Sequence, residues 1–160
     1  RERLIILEGW SKTFCMTGWR LGWSVWPTKI IEFANKLCVN DHSCPSSISQ
    51  FAGLEALNGP KDEVERIIKE FEKRKNFIYN KLNTLDKISC FEPGGAFYAF
   101  PNIKKTNMSG NKFADIALNN HGVALVPGSS FGESANNFVR LSYANSIENI
   151  EKGIYKLSKI

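Results

Sequence analysis

Two basic residues near the start of the sequence have the surroundings of a chemically useful pair. Lys12 follows a strand-like apolar run and has Trp10 and Phe14 two residues away on either side, and Arg20 opens a second apolar stretch. A lysine amine shielded from water and close to a guanidinium loses its proton more readily and can attack an aldehyde. A guanidinium in apolar surroundings needs an anion, and its planar fork suits a phosphate group. The competing interpretation of Lys12 is a surface lysine without a chemical role.

A second arginine stands in a strand-like segment near the end of the sequence. Alternation along Phe138–Ala144 places Arg140 on the same strand face as Phe138 and Ser142. Such an arginine can bind a carboxylate through two parallel hydrogen bonds. The alternative is an edge-strand arginine that pairs at the surface with Glu133 or Glu148.

The pattern of apolar, capping and turn residues predicts the elements that position these side chains. Helices are expected at 28–37, 48–57, 61–82, 111–119 and 147–157, and strands at 3–7, 19–26, 88–92, 96–100, 123–126 and 138–143. Strands that alternate with helices favour an α/β or α+β class with two layers. We place the boundary between two domains within the long third helix, near residues 74–77.

Composition excludes several classes of function. The net charge is +5, but basic and acidic residues alternate along 61–75, which is typical of a solvated helix face and not of a nucleic-acid site. No apolar run is long enough to span a membrane. The four cysteines form no CxxC pair, so we predict free thiols in the reducing cytoplasm and no metal site.

The stretch Ser11-Lys12-Thr13-Phe14-Cys15-Met16-Thr17-Gly18-Trp19-Arg20-Leu21-Gly22 resembles the cofactor-lysine signature of the class I and II aminotransferases, which are fold-type I enzymes dependent on pyridoxal 5'-phosphate (PLP). The segments Glu92–Tyr98, Val126–Gly132 and Phe138–Ala144 are similar to later family stretches and follow in family order. The resemblance implies the α/β C-terminal part of a fold-type I PLP-dependent transferase. Residues 1–75 would end the large PLP-binding domain, and residues 76–160 would form the small C-terminal domain.

The resemblance also implies a role for four residues. Lys12 would hold PLP as a Schiff base and act as the catalytic base, and Arg20 would bind the cofactor phosphate. Many relatives have a phosphate-binding serine three residues before the lysine, where this sequence has Gly9, so Ser11 is expected to make that contact. Arg140 would bind the α-carboxylate of the substrate.

The implied activity is transfer of an amino group from an amino acid, aspartate or an aromatic one by family frequency, to a 2-oxo acid. The resemblance further implies a homodimer with shared active sites, in which the loop 41–47 approaches the neighbouring subunit. The other cofactor-binding residues of the family would lie in an N-terminal half that precedes Arg1, and without that half the chain is expected to be a poor catalyst.

Three alternatives remain at the level of the sequence. A β-lyase or a cyclopropane-forming synthase on the same scaffold would share Lys12 and both arginines. A PLP-binding domain of a transcription regulator would keep the cofactor without turnover. The third alternative is an inert structural domain.

Overall fold

A computed structural model describes residues 2–160 as helices and short strands in two units. The first unit is Arg1–Arg66 and the second is Ile67–Ile160, so the boundary falls within a long helix. The sequence also placed a domain boundary within this helix. The assignment of 1–75 and 76–160 to the family's large and small domains stays a prediction.

The first unit is built on a β-hairpin with a long connection. Strand β1 pairs antiparallel with β2, and residues 10–21 between them contain a one-turn helix, α1, and a 3-10 turn. Two helices of 12 residues each follow. The bounds are β1 Ile6–Gly9, α1 Trp10–Thr13, the 3-10 turn Thr17–Trp19, β2 Gly22–Val25, α2 Ile31–His42 and α3 Ser47–Asn58. A small core of Trp10, Met16 and Leu21 lies within the connection.

Helix α4, Asp62–Leu82, leads into the second unit, where three short antiparallel strands form a sheet in the order β3-β5-β4. The bounds are β3 Tyr98–Ala99, α5 Gly110–His121, β4 Val126–Pro127, β5 Val139–Ser142 and α6 Ile147–Leu157. Apolar side chains of α4, α5, α6 and one face of the sheet share a core that includes Ile78, Phe113, Leu141 and Ile154. This core gives β5 a buried face and an open face, and the open face carries Arg140.

The helices predicted from the sequence are confirmed, and α6 has the predicted bounds. Helix α2 begins three residues later and ends five residues later than predicted, and in its polar last turn Asn40 donates its side-chain amide to the Lys36 carbonyl 2.7 Å away. It ends where Ser43 adopts a positive φ of 62°.

Strand lengths were predicted less well. Residues 88–92 form only an isolated bridge, Ser89 with Asn102, and β1 begins three residues later than expected. The interpretation of Arg140 as an edge-strand residue is wrong, because β5 is the central strand of its sheet. Apolar alternation locates a buried face, but it does not reveal how many neighbours a strand has.

Candidate functional site

Helix α3 anchors the connection 10–21 at both of its ends. The indole N–H of Trp10 donates to the Gly53 carbonyl at 3.0 Å, and the Trp10 backbone N–H donates to the Leu21 carbonyl at 3.3 Å. A Cβ on Gly53 would overlap Leu21 Cδ2 and would lie 3.3 Å from the Trp10 ring. Glycine at this position therefore allows the close approach that fixes the connection on α3.

Lys12 lies on the outer side of this anchored connection. It is the third residue of α1, one turn that buries Trp10 and leaves Lys12 exposed. Among residues 2–160 no carboxylate forms a salt bridge with it. Within residues 2–160 the connection packs through Trp10, Met16 and Leu21 and directs Lys12 away from that core, so the shielding of Lys12 expected from the sequence stays a prediction.

Arg20 stands at the far end of the connection, immediately before β2. Its φ of 52° is left-handed, which is uncommon for a residue with a side chain, and one guanidinium nitrogen donates to the Thr17 carbonyl at 3.3 Å. Within the described part of the chain it forms no salt bridge. The backbone conformation and this hydrogen bond set the direction of the side chain without using a carboxylate.

An open groove of about 690 Å³ borders Arg20 in the first unit. His42, Ser46 and Ser49 also line the groove, whereas Lys12 and Ser11 do not. A guanidinium with nearby hydroxyls suits an oxyanion such as a phosphate. His42 is the last residue of α2, so it is a helix residue and not the loop residue expected from the sequence. Its Nδ1 lies 3.2 Å from Asp41 Oδ2.

Ser11 and Gly9 flank Trp10. Ser11 is half-buried in α1, and its hydroxyl forms no hydrogen bond with another residue of the described range 2–160. Gly9 is extended, with φ of –150°, and its N–H donates to Glu8 Oε1 at 3.0 Å. The Ser11 hydroxyl is therefore available to a ligand, as its predicted role requires.

Arg140 lies on the open face of the second unit's sheet, as the alternation along β5 predicted. Val139 and Leu141 are buried on the helix side, whereas Arg140 is half-buried on the opposite side. Its guanidinium carbon lies over two aromatic rings, 4.2 Å from the centroid of Tyr98 and 5.0 Å from that of Phe131. No salt bridge to Arg140 occurs within residues 2–160, so pairing with a glutamate, the alternative left by the sequence, is wrong.

Tyr98 and Phe131 contact this guanidinium, and Phe100 and Phe138 continue the ring contacts from Phe131; we call these four side chains the aromatic cluster. Phe100 stacks on Phe138 at 5.2 Å between ring centroids, and it meets Phe131 edge to face at 5.8 Å. The cluster gives Arg140 apolar surroundings, and its N–H groups have no hydrogen-bond partner among residues 2–160. This arrangement suits an external carboxylate.

The segment before β3 is fixed at two points. Lys75 donates to Glu92 Oε1 at 2.9 Å, and this hydrogen bond raises the pKa of Lys75. The buried Tyr143 donates its hydroxyl to the Ala96 carbonyl at 2.9 Å, and burial raises the pKa of Tyr143. Ala96 adopts a positive φ of 60°. These contacts hold the turn that delivers Tyr98 to the sheet.

Residues 1–157 match the family model described as aminotransferase class I and II. The chain belongs to this aminotransferase family. It is 39% identical over 164 residues to aspartate aminotransferase of Bacillus subtilis and 36% identical over 161 residues to aromatic-amino-acid aminotransferase 2 of Thermococcus litoralis. Each alignment covers 99% of this chain and 41% of the relative.

Solved aminotransferases confirm the fold. The crystal structure of the aromatic aminotransferase from Pyrococcus horikoshii OT3 superposes with a TM-score of 0.95 at 38% identity and covers 99% of this chain and 42% of that one. The fold is therefore that of a fold-type I aminotransferase, as the sequence motifs predicted. The chain spans about two-fifths of the length of the relatives it matches.

Sequence reasoning identified the basic residues of this aminotransferase chain but missed two of their neighbours. Tyr98 and Phe131 both lie within segments that resembled the family, yet neither was given a role. The available signal was an aromatic residue at or near the end of each segment, beside a short strand: Tyr98 begins β3, and Phe131 ends the turn that follows β4. Tyr98 lies far from Arg140 in sequence, and Phe131 reaches Arg140 from the turn between β4 and β5, so the apolar periodicity of a single element reveals neither contact.

No group of three or more histidine, cysteine, aspartate or glutamate side chains in the described range could hold a metal ion. The four cysteines form no disulfide with one another in the structure, and burial raises the pKa of the Cys90 thiol. None of the helices at residues 2–160 has the length and apolar content to cross a membrane.

Proposed function

We propose that the protein containing this chain is a PLP-dependent aminotransferase that moves an amino group from an amino acid to a 2-oxo acid. Membership of the aminotransferase family is the observation that carries the proposal. Lys12, Arg20 and Arg140 support it, because within residues 2–160 none of the three forms a salt bridge with a protein carboxylate. Their charges remain available to ligands.

The residues of the connection 10–21 fit the chemical groups of PLP. The amine of Lys12 suits its aldehyde, and the guanidinium of Arg20 with the hydroxyl of Ser11 suits its phosphate. When bound, PLP supplies an electron sink for the substrate. Lys12 would then serve as the general base, taking the proton from the substrate Cα and delivering it to the C4' carbon of the cofactor.

Arg140 would hold the α-carboxylate of the substrate through two parallel hydrogen bonds. Two such bonds fix the orientation of the substrate as well as its position. Aspartate and aromatic amino acids are the proposed substrates, because relatives that cover the whole chain carry these names. The segment 39–47 contains no arginine, so a side-chain carboxylate would need a partner elsewhere.

The surface of the first unit supports a partner segment from the same polypeptide. Large apolar side chains of α2 and α3 are exposed, among them Phe33 at 68%, Leu37 at 67%, Ile48 at 72% and Phe51 at 75%. A sheet of only two strands is marginal by itself. We propose that the remaining three-fifths of the full-length protein covers this surface and shields Lys12, within a cytoplasmic homodimer that shares its active sites.

An assay of the full-length protein with PLP tests the function. We expect product to form from an amino acid only when a 2-oxo acid is present, and we expect the purified 160-residue chain to be inactive. A β-lyase would instead release ammonia without a 2-oxo acid. A cofactor-binding regulator or inert domain would give neither product. Either of these outcomes in the full-length protein, or transamination by the isolated chain, contradicts the proposal.

The role of Arg140 is tested by Arg140→Leu in the same protein. Loss of a charge-assisted pair costs about 2 kcal/mol or more, which corresponds to a KM for the amino acid raised roughly thirtyfold. Arg140→Lys keeps the charge but loses the planar fork, so it should restore only part of this loss. An unchanged KM in Arg140→Leu would contradict the carboxylate role.

A further inference from the structure

We propose that Tyr98 and Phe131 are positioning residues for Arg140, holding its guanidinium by ring contacts so that its N–H donors face a substrate carboxylate. The inference rests on the proposed function, in which Arg140 binds that carboxylate. Two cation–π contacts, at 4.2 Å and 5.0 Å from the guanidinium carbon, are the observation on which it stands. Both distances lie within the range in which such contacts are attractive.

The type of contact matters because it uses no hydrogen-bond donor. A guanidinium presents five N–H groups in one plane, and a contact with the face of an aromatic ring leaves all five free. A carboxylate neighbour would have occupied the same donors that a substrate needs. Two rings can therefore restrict the long, flexible side chain of Arg140 while its donors stay available.

Each ring is held by its own segment, so the arrangement does not depend on Arg140 alone. Tyr98 pairs with Ser142 in the β3–β5 ladder, and its ring lies 4.4 Å from that of Phe97 between centroids, tilted by 44°. Phe131 ends the 3-10 turn that follows β4 and meets Phe100 edge to face. Both rings are thus in place before any ligand binds, and the position of the guanidinium between them is preorganised.

The competing explanation is that these rings only pack against one another. The contacts of Phe131 argue against it, since its ring meets the Arg140 guanidinium as well as Phe100. The hydroxyl of Tyr98 forms no hydrogen bond within the described range, so the ring is the part that acts.

The test uses the full-length protein with PLP and compares KM and kcat for an amino acid. Tyr98→Leu is expected to raise KM about fivefold and Phe131→Leu about threefold, with kcat nearly unchanged, because each removes one cation–π contact. Tyr98→Phe keeps the ring and should restore the wild-type KM. Schiff-base formation with an amine that lacks a carboxylate should be unaffected in every variant, which a general structural defect would not allow.

A matched control is available on α6. Tyr155 lies 4.6 Å below the Lys159 ammonium and is 64% exposed, so Tyr155→Leu removes a similar contact away from the site. It should leave KM unchanged. If Tyr98→Leu proves unfolded, the KM of Phe131→Leu still tests the positioning role, since the exposed ring of Phe131 contributes less to folding.

The outcomes separate this inference from the proposed function. If Arg140→Leu raises KM but Tyr98→Leu and Phe131→Leu match the wild type, the positioning role is wrong and the carboxylate role stands. If Arg140→Leu leaves KM unchanged, the carboxylate role fails and the inference fails with it. If Tyr98→Phe is as impaired as Tyr98→Leu, the hydroxyl acts instead of the ring, and the inference is overturned.

Discussion

Replacement of Gly128 by alanine should destabilise the second unit, because the backbone there leaves no room for a Cβ. A Cβ would overlap the Ala135 carbonyl oxygen, and it would lie 2.7 Å from the Phe138 carbonyl oxygen and 3.0 Å from Phe138 Cβ. The two oxygens belong to the main chain and cannot move aside as the end of a side chain can. Relief of the contact requires the segments 128–131 and 135–138 to separate.

The cost follows from the hydrogen bonds at this point. The Gly128 N–H donates to the Phe138 carbonyl at 2.8 Å, and the Phe138 N–H donates to the Ala135 carbonyl at 2.9 Å. Separation of the two segments breaks the Gly128–Phe138 hydrogen bond, which costs about 1 kcal/mol, and overpacking adds roughly 1–3 kcal/mol. Gly128→Ala should therefore lower the free energy of unfolding by about 2–4 kcal/mol.

Gly153→Ala provides the matched control. Gly153 lies within α6, and no heavy atom comes within 4 Å of the position that a Cβ would take, so alanine should stabilise that helix by about 1 kcal/mol. Urea unfolding of the full-length protein measures both variants. A stability of Gly128→Ala within about 1 kcal/mol of Gly153→Ala would refute the packing argument.

Two further predictions concern pH. The pKa of Lys75 is raised above 10.5, chiefly by its hydrogen bond with Glu92, so this pair stabilises the fold fully at neutral pH and loses its effect as pH rises through the raised pKa. The difference in stability between wild type and Glu92→Gln should therefore vanish in strong alkali. A difference in stability that does not depend on pH would contradict this expectation. The pKa of Glu148 is lowered, first by a hydrogen bond from its own backbone N–H and then by one from Ser146, so its contribution to stability is present above pH 4.5 and lost as pH falls through the lowered pKa. Glu148→Gln should therefore be less stable than wild type at pH 7 and as stable as wild type in acid. Equal stability at pH 7 would contradict this cause.

Local patterns in the sequence predicted the features that depend on residues close in sequence, namely helix bounds and the buried face of a strand. The apolar spacing of α6 gave its bounds, and alternation along β5 gave the open face of Arg140, because each reports which side of one element is buried. The sequence placed Lys12 in a turn between two strands, whereas Arg20, expected at the start of the second strand, lies before β2 and within the connection.

Contacts between distant segments were not predictable in this way. The rings over Arg140 come from β3 and from the turn after β4, and the anchoring of Trp10 depends on Gly53 in α3. Within residues 2–160 Lys12 is exposed because its apolar neighbours in sequence pack on the other side of α1. The residues next to a position in the sequence do not determine which residues surround its side chain in the fold.

The assignment of Lys12 as the cofactor lysine is tested most directly by chemical trapping. The full-length protein is incubated with PLP, reduced with borohydride and digested, and the labelled peptide is mapped. Lys61 serves as an internal reference lysine of the same unit, because its ammonium donates to the carbonyls of Ala56 and Leu57 at 2.7 Å. We expect one phosphopyridoxyl group per chain, on Lys12, and no label at this site in Lys12→Ala. Label on another lysine, or none on Lys12, would contradict the assignment.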